Sequence, residues 1–150
     1  MQYFDDIQVG DKMVTRGRTI TEADIVNFAG VSGDFHPLHT DVEYAKKGKF
    51  GERVAHGALV FTVASGLFPI YEFAMIGFYG IDRLRFIRPT KIGDTLHLEL
   101  EVVDKQDKDK LNGVVSHKVS VKNQRGEDVI ASVWKALIAK NISDENRKSD

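Results

Sequence analysis

The sequence contains no cysteine. Disulfides, thiolate metal sites, iron–sulfur clusters and a cysteine nucleophile are therefore all excluded. Neither sign of charge dominates, because 21 Lys and Arg stand against 22 Asp and Glu and leave a formal net charge of −1. This balance argues against binding to nucleic acid and against attachment to a membrane by a polybasic segment.

The amino terminus lacks a basic segment followed by an apolar one, which is the pattern of a signal peptide. Together with the absence of cysteine, this predicts a cytoplasmic protein. The composition is that of a globular protein, with 42% hydrophobic and 29% charged residues, and a length of 150 residues predicts one domain. We assign this domain to residues 1–140 and predict that the polar residues 141–150 form a disordered tail.

One long stretch of the chain carries no charged side chain. It runs for 18 residues from Val54 to Tyr71, which is at the lower limit of roughly 17–25 residues for a membrane-spanning helix. Its glycines, hydroxyl side chains and Pro69 make it a poor membrane span. Because apolar residues occupy every face of the helical wheel, the stretch is predicted to be a helix surrounded by protein, beginning near Gly57 and ending near Pro69.

The remaining pattern predicts an early strand around residues 12–19, a short helix and a loop before the apolar helix, and four strands after it. The short helix begins at Thr21, which with Asp24 approximates a capping box, and it ends at Gly30 and Gly33. The four strands are predicted from apolar residues that alternate with polar ones from residue 84 onward. Four antiparallel strands can cover a wholly apolar helix only if the sheet curls around it. The sequence therefore predicts an α+β hotdog fold, and its open sheet edges predict a homodimer or a dimer of dimers.

The loop SGDFHPLHTD concentrates groups that can transfer protons. Asp34, His36, His39 and Asp41 lie within eight positions, and a carboxylate beside an imidazole suits paired acid–base work. The same residues are also common as solvated turn formers. A two-histidine, one-carboxylate metal set from His36, His39 and Asp41 or Glu43 is a third interpretation. We do not favour the metal, because Pro37 denies the two histidines the spacing that places both on one helical face.

A second candidate lies where the apolar helix begins. His56 and Gly57 offer unpaired main-chain N–H groups at the positive end of the helix dipole. Because a glycine lets a ligand approach the main chain closely, the Gly57 N–H is a candidate donor to a carbonyl oxygen that becomes negative during a reaction. The alternative is that Gly57 only permits close packing against a strand.

Four segments, SGDFHPLH, FGERVAHGAL, SGL and RFIRPTKIGDTL, together resemble the MaoC-like hotdog family. Its best-known members are the (R)-specific enoyl-CoA hydratases. The resemblance implies reversible addition of water to a trans-2-enoyl-CoA thioester, without a metal or another cofactor. It also implies catalytic roles for Asp34 and His39, a main-chain oxyanion donor at Gly57, and a supporting hydroxyl at Ser65.

The chain departs from the family pattern at His36, where Asn is usual. We predict His36, His56, Arg53 and Arg85 as substrate-binding residues, with the two arginines as partners for the phosphates of the acyl carrier. Two other functions remain open: a hotdog acyl-CoA thioesterase, in which a carboxylate activates water against the thioester carbonyl, and an acyl-CoA-binding module without activity.

Overall fold

The computed structural model describes residues 1–141. After a short 3-10 helix at Phe4–Asp6, the elements are β1 (Lys12–Val14), β2 (Arg18–Thr19), α1 (Glu22–Ser32), α2 (Pro37–Thr40), α3 (Val42–Lys46), α4 (Gly57–Leu67), β3 (Met75–Phe86), β4 (Thr95–Asp107), β5 (Asn112–Lys122) and β6 (Asp128–Ala139). The tail that the sequence predicts lies, apart from Asn141, outside the described residues.

The strands form one antiparallel sheet in the order β1–β4–β5–β6–β3, and β2 pairs with β4 beyond the end of β1. The four strands predicted after the apolar helix are confirmed. The early strand predicted around residues 12–19 is divided into the two short strands β1 and β2. Two edges remain open, and one of them is the long strand β3, which pairs only with β6 among the described residues.

The inner face of the sheet is built from the alternating apolar residues of its central strands. In β4 every second residue from Leu96 to Val102 is buried, and in β5 the buried set runs from Val115 to Val121. These side chains pack against α4, whose buried residues are Leu59, Val60, Val63, Ala64 and Leu67. A sheet that covers one helix in this way confirms the predicted α+β hotdog fold.

Helix α4 confirms the predicted central helix and its limits, but one side of it is open in the single chain. Ala58, Thr62 and Gly66 are exposed, so the prediction that protein surrounds the helix does not hold within one chain. No helix within residues 1–141 combines the length and the apolar character that crossing a membrane requires.

The beginning of α1 follows its sequence signal. Asp24 N–H donates to Thr21 Oγ1 at 3.3 Å, and Thr21 N–H donates to Asp24 Oδ2 at 2.8 Å, which completes the predicted capping box. The prediction that Gly30 ends the helix is wrong, because α1 continues to Ser32. Gly33 ends it with φ of 76°, a left-handed conformation that favours glycine, and its N–H donates to Ala29 O.

The sequence predicts a loop after Gly33, but part of this segment is helical. Pro37–Thr40 form the one-turn helix α2, with Pro37 in its first position. A proline fits there because the first helical N–H has no intrahelical acceptor in any case. Asp41 then begins α3 by accepting the Tyr44 N–H at Oδ1, at 2.9 Å.

His117 is the one residue of the inward-facing β5 set that can become charged. It is 1% exposed, and its ring lies 5.3 Å from the Phe68 ring and 5.7 Å from the Phe73 ring. Within residues 1–141 neither ring nitrogen has a hydrogen-bond partner. Burial lowers the pKa of His117 to about 4, and the main-chain groups of Trp134 and Val115 oppose this fall only in part.

This burial predicts a pH-dependent stability. The unfolded chain takes up a proton on His117 near pH 6.5, whereas the folded chain does so only near pH 4. The folded state should therefore lose stability as the pH falls from about 6.5 to 4, by about 3 kcal/mol in total. Urea unfolding at several pH values should show this loss in the wild type and a much smaller one in His117→Leu. His97→Gln, which keeps His117, is the matched control and should retain the loss; equal pH dependence in wild type and His117→Leu would contradict the prediction.

Candidate active site

The turn between α1 and α2 places Asp34 beside the amino terminus of α4. Gly33 reverses the chain at the end of α1, and the Asp34 N–H then donates to Ser32 Oγ at 3.1 Å. Asp34 O accepts a hydrogen bond from His56 Nε2 at 2.9 Å. Because its main chain is held on both sides, Asp34 has a defined position although its side chain is exposed.

His36 serves as the cap of α2. Its Nδ1 accepts the Leu38 N–H at 3.1 Å, and its own N–H donates to Asp34 Oδ1 at 3.1 Å. An Asn at this position, the residue usual in the family that the sequence resembles, also offers a side-chain acceptor. The departure from the family pattern is therefore compatible with the same local turn. Substrate binding by His36 stays a prediction, and its Nδ1 already accepts the Leu38 N–H.

His39, on α2, is oriented by a hydrogen bond to the main chain. Its Nδ1 lies 2.7 Å from Val54 O. A carbonyl oxygen can only accept, so Nδ1 carries the proton and Nε2 of the neutral ring bears a lone pair. Burial lowers the pKa of His39, and this exceeds the opposing effects of the Val54 hydrogen bond and the Asp34 carboxylate. The ring is therefore held in the neutral form, with Nε2 available as a base.

His56 lies beneath this pair. It is 2% exposed, and its ring stacks on the His39 ring with centroids 3.8 Å apart and an angle of 26° between the planes. The cleft described below is lined by Ala55 and Gly57 but not by the intervening His56. The prediction that His56 contacts substrate is thus not supported by its position.

Gly57 is the first residue of α4. Its N–H has no intrahelical acceptor at that position, and none is found elsewhere within residues 1–141. The ring of Phe86 lies where a side chain would project, because a Cβ on Gly57 would be 2.9 Å from Phe86 Cε1. Gly57 therefore permits close packing against β3 and also leaves a free donor at the positive end of a helix, whose role in a reaction stays a prediction.

A cleft of about 740 Å³ opens at this end of α4. Its wall includes His39, Gly57 and Phe86, and it contains two basic residues, Lys49 and Arg88. Arg88 is exposed, and its Nη1 donates to Asp128 O at 3.1 Å. The cleft thus joins the candidate base and the free helix donor to cationic groups at its rim.

The other predicted site residues lie elsewhere or are engaged. Arg53 makes a two-pronged pair with Glu22, from Nη1 at 2.8 Å and from Nη2 at 2.6 Å, and does not line the cleft. Arg85 donates to Leu84 O at 2.9 Å. Ser65 lies more than two turns along α4 from Gly57, and its Oγ donates to Thr62 O at 2.7 Å. The structure therefore brings together Asp34, His39 and Gly57, but not Ser65, Arg53 or Arg85.

The same residues also offer donor atoms to a metal ion. One atom from each of Asp34, His39 and His56 lies within 4.8 Å of the others. Two of the four ring nitrogens already donate to carbonyl oxygens. Stacked imidazole rings also direct their in-plane lone pairs side by side, which is a poor fit for one shared ion. The arrangement suits proton transfer better than metal binding.

Two partners in this site were not foreseen from the sequence. They are the main-chain oxygens of Val54 and Asp34, which orient His39 and His56. A main-chain acceptor is present at every residue and has no sequence signature. What the site offers is a neutral imidazole and a helix N–H in the wall of one cleft. The Asp34 carboxylate lies beside the imidazole without lining the cleft. This set is suited to moving a proton next to a developing oxyanion.

Comparison with known proteins gives consistent results. Protein MaoC of Klebsiella aerogenes is 42% identical over 134 residues, which are 89% of this chain and 36% of that protein. The (R)-specific enoyl-CoA hydratase of Rhodospirillum rubrum is 35% identical over 96 residues, which are 64% of this chain and 66% of that enzyme. The chain thus spans about a third of the first relative and just under two thirds of the second.

Solved structures extend the similarity to nearly the whole chain. A protein of Archaeoglobus fulgidus described as a monoamine oxidase regulatory protein superposes with a TM-score of 0.87 at 47% identity, covering 94% of this chain and 96% of that one. The R-hydratase PhaJ1 of Pseudomonas aeruginosa superposes with a TM-score of 0.75 at 34% identity, covering 93% and 86%. The family described as MaoC like domain matches residues 6–123. The chain therefore belongs to the MaoC-like dehydratase domain family.

Proposed function

We propose that this chain catalyses the reversible hydration of a trans-2-enoyl-CoA thioester to the (R)-3-hydroxyacyl-CoA. The observation that carries the proposal is that His39 and the free Gly57 N–H share the wall of one cleft, with the Asp34 carboxylate within 4.8 Å of a His39 ring nitrogen. The named relatives support a hydro-lyase, since they include an (R)-specific enoyl-CoA hydratase and a 3-hydroxybutyryl-CoA dehydratase. The roles of the individual residues are part of the proposal.

His39 acts as the base. Its Nδ1 proton is committed to Val54 O, so Nε2 is the atom that accepts a proton from water. The lowered pKa of His39 keeps this nitrogen unprotonated near neutral pH. The Asp34 carboxylate lies beside it and orients the water, whose oxygen forms the new bond to C3 of the substrate.

Gly57 stabilises the charge that this attack produces. As the bond to C3 forms, the electrons of the double bond move toward C1 and the thioester oxygen becomes enolate-like. A helix N-terminus with a free N–H favours a negative oxygen at that point, and donors of this kind contribute about 2.7–4 kcal/mol to the transition state. The proton on His39 then moves to C2. The hydroxyl group of the water is then bonded to C3 and its proton to C2, and both His39 and Asp34 return to their starting protonation states.

The rim of the cleft suits a carrier that bears phosphates. Lys49 and Arg88 are exposed at this cleft. Other basic residues nearby are engaged in ion pairs, such as Lys46 with Glu43 at 2.7 Å and Arg53 with Glu22 at 2.6 Å. We therefore assign contact with the CoA phosphates to Lys49 and Arg88 in preference to Arg53 and Arg85.

The first prediction of the hydratase proposal concerns the catalytic pair. Wild type should hydrate crotonyl-CoA, followed by the loss of the enoyl absorbance, and Asp34→Asn and His39→Asn should each lower kcat/KM by at least about 100-fold. Each variant keeps the size of the side chain it replaces or comes near it, so circular dichroism spectra should match wild type. Glu43→Gln, which removes a carboxylate of the neighbouring α3, is the control and should remain within about 3-fold of wild type.

The outcomes separate the three functions. Release of free thiol from acyl-CoA without hydration would indicate a thioesterase. Binding of enoyl-CoA without turnover would indicate a binding module. An inactive wild type on short and medium enoyl-CoA substrates, or full activity in both Asp34→Asn and His39→Asn, would contradict the hydratase assignment.

The second prediction concerns pH. Because His39 must be neutral to accept a proton, kcat/KM for hydration should fall as the pH drops below its pKa, by about 10-fold per pH unit. Burial lowers that pKa below the ordinary 6.5, so the midpoint of the fall should lie below pH 6.5. The measurement is a profile of kcat/KM from pH 5 to 8.5, with circular dichroism at each pH to confirm folding. A midpoint above pH 6.5 would argue against His39 as the base.

We further propose that the chain works as a homodimer joined through β3 and the open side of α4. Strand β3 presents a 12-residue sheet edge, and Ile76, Phe78 and Ile81 are exposed along it. The exposed Ala58, Thr62 and Gly66 give α4 an open surface of small residues. Exposed apolar edges of this length usually pair with another chain, and a second copy offers the same edge.

The third prediction tests this dimer. Light scattering after gel filtration should give about twice the 16.8 kDa mass of the chain, or a multiple of that dimer. Ile81→Glu should shift the mass toward the monomer, because it places a charge on the apolar edge that the second copy would cover. Val103→Glu, at an exposed apolar position of β4, should leave the mass unchanged. A monomeric wild type would refute the dimer without bearing on the chemistry.

A further inference from the structure

His56 is buried at the centre of the site without touching the cleft. It is the residue immediately before α4, and its carbonyl accepts the Val60 N–H at 3.0 Å, the first bond of the helix. Its ring is 2% exposed. Within the described residues its Nδ1 has no hydrogen-bond partner. A buried imidazole with an unpaired nitrogen costs stability, so its presence needs an explanation.

The first contact of the ring fixes Asp34. His56 Nε2 lies 2.9 Å from Asp34 O, and since a carbonyl only accepts, Nε2 carries the proton. This bond reaches across 22 residues of sequence and ties the turn after α1 to the beginning of α4. The carboxylate of Asp34 therefore takes its position relative to Gly57 through His56.

The second contact covers His39. The two rings stack with centroids 3.8 Å apart, so His56 removes one face of the His39 ring from water. The other titratable groups near His39 are Asp34 and His36, whose ring centroid is 6.2 Å from that of His39. Burial and the neighbouring His56 both lower the pKa of His39, while Asp34 opposes them.

We propose that His56 is a positioning residue with two separable actions: its Nε2–H holds Asp34 in place, and its ring keeps water from one face of His39. The assignment rests on the proposed hydratase function, because it is in that reaction that Asp34 and His39 must act on one water. It replaces the sequence-based expectation that His56 binds substrate.

Two substitutions separate the two actions. His56→Gln places an amide N–H the same number of bonds from the main chain as Nε2, so it retains a donor for Asp34 O but loses the stacked ring. His56→Phe retains a ring over His39 but has no donor, so Asp34 O loses its hydrogen bond to the helix amino terminus. Each variant thus keeps one action and removes the other.

The expected results differ between the two variants. His56→Phe should lower kcat for crotonyl-CoA hydration by about 30-fold or more, with KM changed by less than about 3-fold and with the NMR titration midpoint of His39 near that of wild type. His56→Gln should keep kcat within about 5-fold of wild type at pH 8, but should move the His39 midpoint and the acid limb of the pH profile upward by about half a pH unit or more.

Phe28→Leu is the matched control for loosened packing. The Phe28 ring lies 5.1 Å from the His56 ring, and within residues 1–141 it does not stack on the His39 ring. This variant should lower the melting temperature while leaving kcat within about 3-fold and the His39 midpoint unchanged. A change in Phe28→Leu equal to those in the His56 variants would assign the effects to packing and overturn the proposal.

Two further results would overturn it: wild-type kcat and a wild-type His39 midpoint in both His56 variants, or equal losses of kcat in both with no change in either midpoint. If His56→Phe fails to fold, the titration midpoint of His39 in His56→Gln tests the proposal by itself. An inactive wild type would refute the proposed hydratase, whereas the His39 midpoint is measured without turnover and still shows whether His56 controls His39.

Discussion

The site depends on the three residues that lead into the central helix. Val54 O accepts the His39 Nδ1 proton, Ala55 N–H donates to Thr90 O at 2.8 Å, and His56 reaches Asp34 O. The same short segment is therefore hydrogen-bonded to Asp34 and His39 on one side and to the chain between β3 and β4 on the other. Because Gly57 follows at once, the position of the free helix N–H is set by these bonds.

This arrangement explains why an exposed turn can hold groups in place for chemistry. Residues 33–41, which include the short helix α2, have few apolar contacts of their own because most of them are exposed. Their order comes from hydrogen bonds to a segment whose residues are buried among the core. The rigidity of the hotdog core is thus transferred to Asp34 and His39 through two main-chain oxygens, which is how a scaffold supports a functional loop.

The sequence predicted those parts of the molecule that follow from periodicity and capping. The alternation from Leu96 to Val102 fixed which side of β4 faces the helix, and the Thr21 capping box located α1, because both depend on neighbours in sequence. Of the two glycines predicted to end α1, Gly33 is confirmed and Gly30 is not, since a glycine inside a helix is tolerated when packing supports the helix. Only the left-handed Gly33 stops it.

The candidate site was predictable in its residue types but not in its detailed contacts. Asp34, His39 and Gly57 could be named from their motifs, whereas the place of Arg53 depends on Glu22, 31 residues earlier in the chain. The sequence does not show whether an arginine or a lysine will pair with an acidic side chain of the protein or face a ligand. The same holds for His56, whose ring could have pointed into the cleft or beneath it with no change in the motif.

Phe86 links the edge strand of the sheet to the amino terminus of α4. It is the last residue of β3, and its ring occupies the space that a side chain on Gly57 would need. The space beside the Gly57 N–H is therefore limited by a strand that also forms the outer edge of the sheet. The outer edge of the sheet and the free helix N–H are therefore in direct contact through one aromatic ring, so any change in the position of the end of β3 also changes the space beside Gly57.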